Sequence, residues 1–179
     1  MSAGVVAATH TRTREAVGLA LVALAAWSAA LWVSVHVQAD PSLYRAALFV
    51  HLAGLVAGLG AALTVDYFAL QWVLGRKSLR EVLTVSAGAS PLVWAGLAGL
   101  VGSGALLSPD LGNGLTQLKL ALVLVVALNG AFARVVQHRL EGAGHRASAG
   151  LLGMGVACAT VSQVGWWGAA MVGFLNAQC

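Results

Sequence analysis

The stretch Ala46-Ala-Leu-Phe-Val-His51-Leu-Ala-Gly54-Leu-Val-Ala-Gly58-Leu-Gly60-Ala-Ala-Leu-Thr-Val-Asp66-Tyr-Phe-Ala-Leu-Gln-Trp-Val-Leu74 decides the fold class. Its 29 residues contain two ionisable side chains, His51 and Asp66. About 20 apolar residues at 1.5 Å per residue cross the ~30 Å hydrocarbon core of a bilayer. A segment this long and this apolar reads as a membrane-spanning helix, because unpaired backbone groups are not tolerated in lipid.

Four more stretches share this character: Ala16–Val37, Pro91–Leu107, Leu115–Val136 and Leu151–Leu175. The third is the shortest and richest in glycine, so its span is extended back to about residue 88. The reading is a single all-α transmembrane domain over residues 1–179: a four-helix core preceded by one extra helix. Composition agrees. Of the 179 residues, 59% are hydrophobic and 9% charged, against about 25% charged in a soluble domain. The first run follows Arg12 and Arg14 as a signal peptide would. It is longer than a signal h-region and is expected to be a retained helix.

The formal net charge of +4 does not point to nucleic acid, because the basic residues are not gathered into one patch. They alternate between connections. Arg12 and Arg14 precede the first span; Arg76, Lys77 and Arg80 follow the second; Arg134, Arg139 and Arg146 follow or end the fourth. The intervening connections hold only Arg45. The positive-inside rule then predicts an inner-membrane protein with a cytoplasmic N-terminus and an external C-terminus. Cys158 and Cys179 form no CxxC and are expected to be free thiols. HExxH, a phosphate-binding glycine loop and a Ser/His/Asp arrangement on a recognisable turn are also missing from the sequence. Hydrolysis, ATP use and thiol redox chemistry therefore have no support.

An ionisable side chain within a span costs about 2.5–3.5 kcal/mol on insertion scales, so each needs a reason. Arg134 is near enough to a span end to reach the headgroups. Asp66 is expected to pair with Arg134 or Arg76, or to reach water. Asn129 and Gln163, with Thr160 and Ser162, are read as interhelical hydrogen-bonding groups. His51 and Lys119 enter their helices from the same side to similar depth and are the candidate catalytic pair. At about 100° per residue, His51, Gly58 and Ala62 share an arc, with Gly54 beside it. That small-residue face is read as room for a flat ring, with Gly54, Gly58 and Trp94 around it and His51 as ligand. His36 and His51 are an alternative metal pair, suited to copper or haem. Trp166 and Trp167 could line such a pocket with Trp94, and core packing is the alternative for all three.

These features resemble the membrane core shared by CopD-type copper-resistance proteins and HemJ-type protoporphyrinogen oxidases. The resemblance rests on His51 opening the Gly-rich helix quoted above, on a following span with Gly96, Gly99 and Gly102, and on Lys119 opening Leu118-Lys-Leu-Ala-Leu-Val-Leu-Val-Val-Ala-Leu-Asn129-Gly130. It implies a membrane oxidoreductase with a b-type haem on His51 and Lys119 as a substrate or propionate partner, or alternatively copper binding or transport. A non-catalytic membrane interaction protein is the third expectation. Expected partners are the lipid bilayer, a tetrapyrrole and further copies of the chain.

Overall fold

The computed structural model describes residues 2–176, and of their side chains those of residues 14–176 other than His145. Cys179, the side chain of Arg12 and that of His145 lie outside the described residues. Five long helices carry the chain: α1 (Ser2–His36), α2 (Pro41–Val73), α3 (Leu79–Ala105), α4 (Gly114–Ala143) and α5 (Ala149–Asn176). Each holds a segment long and apolar enough to cross a membrane, that of α1 being Arg14–His36. The protein is an all-α, multi-pass membrane bundle.

The helix ends follow from local sequence. Asp40 caps α2 by accepting from the Ser42 and Leu43 amides at 2.8 and 2.9 Å, with Pro41 next in the chain, where a missing N–H costs nothing. The Ser42 hydroxyl, and then the Leu43 and Ser42 amides, hold the Asp40 carboxyl below its usual range. α2 closes in a Schellman turn. Gly75 takes φ +70°, its N–H reaches the Trp72 carbonyl, and the Arg76 N–H reaches that of Gln71. Ser78 and Glu81 then form a capping box. The third helix therefore starts at Leu79, nine residues before the expected span. The capping box lies outside the apolar run, and Pro91 is carried inside the helix rather than beginning it.

Contacts between neighbours show that successive helices run antiparallel. Residues 50–58 of α2 face residues 96–104 of α3 in reverse order, and α4 and α5 pair likewise from Thr116–Asn176 to Leu140–Gly155. α2 with α3 and α4 with α5 form the two intimate pairs, and α1 lies against α4 and α3. The Trp27 indole N–H donates to the Leu120 carbonyl at 3.2 Å, tying α1 to α4.

Glycine makes the first pair possible. A Cβ on Gly96 would lie 2.6 Å from the Gly54 carbonyl oxygen and from the Gly58 backbone. Across the bundle, a Cβ on Gly58 would meet the Trp166 ring at 2.6 Å. Leu97, Leu100, Val126, Ala127, Ala62 and Trp166 complete an apolar waist. Large apolar side chains point outward, with Phe49 and Val56 73% and 75% exposed. That is the surface a lipid-facing bundle presents.

Backbone lies on both sides of the Gly96 contact, so Gly96→Ala should destabilise the bundle by about 1–3 kcal/mol. Gly102, with nothing near its missing Cβ, should accept alanine within about 0.5 kcal/mol. Thermal denaturation of both variants in mild detergent checks this; equal melting temperatures would remove the proposed origin of the α2–α3 seam.

Candidate functional site

The polar side chains fall into two groups on either side of the waist. One lies toward the end where α2 and α4 begin, the other toward the end where α3 and α5 begin.

In the first group His51 is half-buried on α2, facing α3. Its Nδ1 lies 3.0 Å from the Ser103 hydroxyl oxygen. Ser103 has one proton, and its geometry directs that proton to the Gly99 carbonyl in a short bond on its own helix. With that proton directed to Gly99, the hydroxyl oxygen is free to accept from the His51 ring in the tautomer that carries Nδ1–H. A neutral ring in this tautomer keeps the Nε2 lone pair for a ligand, the way second-shell partners orient metal-binding histidines. Lys119, half-buried on α4, runs beside Gly173 of α5. Among the described residues the ion pairs are Lys77–Glu81 and His138–Glu141, and none of those residues' carboxylates pairs with Lys119. Below it, Asn176 Nδ2 donates to the Thr116 hydroxyl at 3.2 Å, and Thr116 is 1% exposed.

The expected ring-binding face of α2 is not vacant. Gly54 is filled by the α3 backbone at Gly96, and Gly58 by the indole of Trp166. Both glycines serve helix packing. Close backbone approach needs the same small residues that a ring would need, so composition cannot separate the two uses. Trp94 is also removed from His51. It lies against Gly130 of α4, beyond the waist. His36 engages its own helix: its Nδ1–H donates to the Trp32 carbonyl at 2.8 Å, and its ring stacks on Trp32 at 4.4 Å. No group of three or more His, Cys, Asp or Glu side chains able to hold a metal occurs among the described residues.

The second group surrounds a cavity of about 240 Å³ between the two helix pairs. Asp66, Ser90, Trp94, Asn129, Gln137 and Ser162 line it, and the exposed Arg134 stands among them. Asp66 accepts a short hydrogen bond from Gln163 Nε2. This replaces the expected pairing with Arg134 or Arg76: α5 brings Gln163 against α2, whereas Arg134 is turned outward. Asn129 Nδ2 donates to the Cys158 carbonyl at 2.8 Å, linking α4 to α5. Thr160 bonds only within its own helix, to Val156. Cys158 is a buried free thiol. The sequence reading missed the cavity and the role of Ser103. The signal for Ser103 was its spacing of seven from Gly96, which puts it on the α2-facing side of α3.

The fold and these two groups define a multi-pass membrane bundle with polar sites on both sides of an apolar waist. No protein family, no curated protein and no solved structure matches the chain.

Removing the Gln163 amide would leave the Asp66 carboxylate without its partner. Gln163→Leu should cost about 1–2 kcal/mol, and adding Asp66→Leu should cost less than the sum of the two single changes. Additive losses in a double-mutant cycle on denaturation in detergent would mean that the pair is not coupled.

Proposed function

We propose that this membrane protein holds a tetrapyrrole, a b-type haem, at the end bearing His51, and works as a membrane oxidoreductase. The observation that carries this reading is the orientation of His51. Ser103 offers Nδ1 an acceptor, and the tautomer protonated there keeps Nε2 for a ligand. The donor set fits in kind: a neutral imidazole as iron ligand, and in Lys119 an ammonium to neutralise a ring carboxylate. It does not fit deep within the bundle, because Gly96 and Trp166 close the α2 face. The ring is therefore to be sought on the His51 side of the waist. Haem supplies one-electron chemistry when bound. The chain's own residues orient the ligand, balance a carboxylate and keep water from crossing the waist. Copper handling by His36 and His51 has weaker support, since His36 is tied to Trp32 and the described residues offer no third donor.

We also infer that the end where α3 and α5 begin is cytoplasmic, in a bacterial inner membrane. Eight of the ten Lys and Arg residues lie in the segments at or near that end: Arg12, Arg14, Arg76, Lys77, Arg80, Arg134, Arg139 and Arg146. Only Arg45 and Lys119 lie toward the other. An alkaline phosphatase fused to the C-terminus should be active and a fluorescent-protein fusion dark; the opposite pattern inverts the topology.

The first test is spectroscopic. Protein expressed with ample haem and purified in mild detergent should show a Soret band that shifts on reduction. His51→Ala should lose it, and Ser103→Ala should retain haem about 10-fold less tightly. A colourless wild-type protein, or a band untouched by His51→Ala, defeats the assignment.

A further inference from the structure

The cavity beyond the waist holds a carboxylate, Asp66, in a wall that is largely apolar. The side-chain amides around it are engaged within the protein. Asn129 Nδ2 goes to the Cys158 carbonyl, Gln163 Nε2 to Asp66, and Gln137 Nε2 to Glu141 at 2.9 Å and to the Leu83 carbonyl at 3.4 Å. Toward the cavity, the second oxygen of Asp66, Oδ1 of Asn129 and the Ser90 and Ser162 hydroxyls, which donate as well as accept, have no hydrogen-bond partner among the described residues. The carboxylate has no counterion among the described residues. Arg134 shares the cavity wall without reaching ion-pair distance of Asp66, and it is exposed, where a long cationic side chain seeks the headgroups.

A half-buried carboxylate without an ion partner among the described residues favours a cation that brings its own donors. A primary ammonium has three. The rest of the wall is apolar, built from Ala62, Val65, Val93 and Ala159 with the indoles of Trp72 and Trp94. Such a wall suits an apolar body, and aromatic rings favour a neighbouring cation. At about 240 Å³ the space lies below the 300–1,000 Å³ range of drug-sized pockets, so the occupant is small.

We propose that this cavity is a second binding site, separate from the His51 site, for a small organic ammonium with an apolar body, held by Asp66. The site is independent of any haem. Its ligand enters from the end rich in Arg and Lys and stops at the apolar waist.

The test uses the full chain in mild detergent, titrated by calorimetry with 2-phenylethylamine and with 2-phenylethanol, which has the same shape without the charge. The amine should bind saturably and at least 10-fold more tightly than the alcohol. Asp66→Asn, which preserves shape and still accepts from Gln163, should bring the amine down to the level of the alcohol. His51→Ala should change neither. Ser162→Phe, which fills the cavity and leaves Asp66 in place, should abolish amine binding and decides the matter if Asp66→Asn does not fold. Absence of saturable amine binding, equal affinity for amine and alcohol, or amine binding that survives both Asp66→Asn and Ser162→Phe overturns the site. Loss of amine binding in Arg134→Gln, with binding kept in Asp66→Asn, assigns the recognition to the wrong charge and overturns it equally.

Discussion

The structure depends on the contact between the α2 and α3 backbones at Gly54, Gly58 and Gly96. In lipid there is no hydrophobic driving force to push helices together, since the surrounding tails are as apolar as the side chains. Association has to come from close van der Waals contact and interhelical hydrogen bonds. Here a missing Cβ on each helix lets main chain meet main chain. The same register sets His51 opposite Ser103, one to two turns from the contact. It also presents Gly58 to Trp166 of α5, so that one seam both forms a helix pair and receives the other pair.

Trp166 is the counterpart of that seam. It is 3% exposed and packs on Gly58 within a cluster of Leu97, Leu100, Val126 and Ala127. Its indole N–H has no partner among the described residues, a cost that packing against the glycine offsets. Because the waist is apolar and closely packed, the ionisable residues on its two sides act separately. His51 lies on one side, with Lys119 on α4 toward the same end. Asp66 and Gln163 lie on the other, with Arg134 at its edge. A reading that joins His51, Gly54, Gly58 and Trp94 into one pocket crosses this waist, and the filled glycine face removes it.

The five helices, their order and their apolar character were legible in the sequence, because the solvent around a membrane helix writes itself into every exposed position. Val56, Phe49, Leu21 and Trp167 are apolar for that reason. The small-residue face of α2 was legible too, but its use was not. Glycine at residues 54 and 58 permits a close helix, a close indole or a ring, and nothing along one chain distinguishes them. The start of α3 at Ser78 and Leu79 lies ahead of the apolar run that hydropathy reads. A capping box is read from two polar residues that lie outside the apolar run.

What the sequence determined by itself was therefore the class of molecule, the number of spans and the asymmetry of basic residues between its ends. These follow from length, hydropathy and charge, which are properties of one segment at a time. Only the tertiary structure decided that Asp66 is met by Gln163 rather than by an arginine, that His51 is met by Ser103, and that a cavity lined by Asp66 lies between the helix pairs. Those depend on which helix faces which. In a bilayer that choice is made by complementary shape and by a few hydrogen bonds between segments far apart in the chain, so no single stretch of sequence contains it.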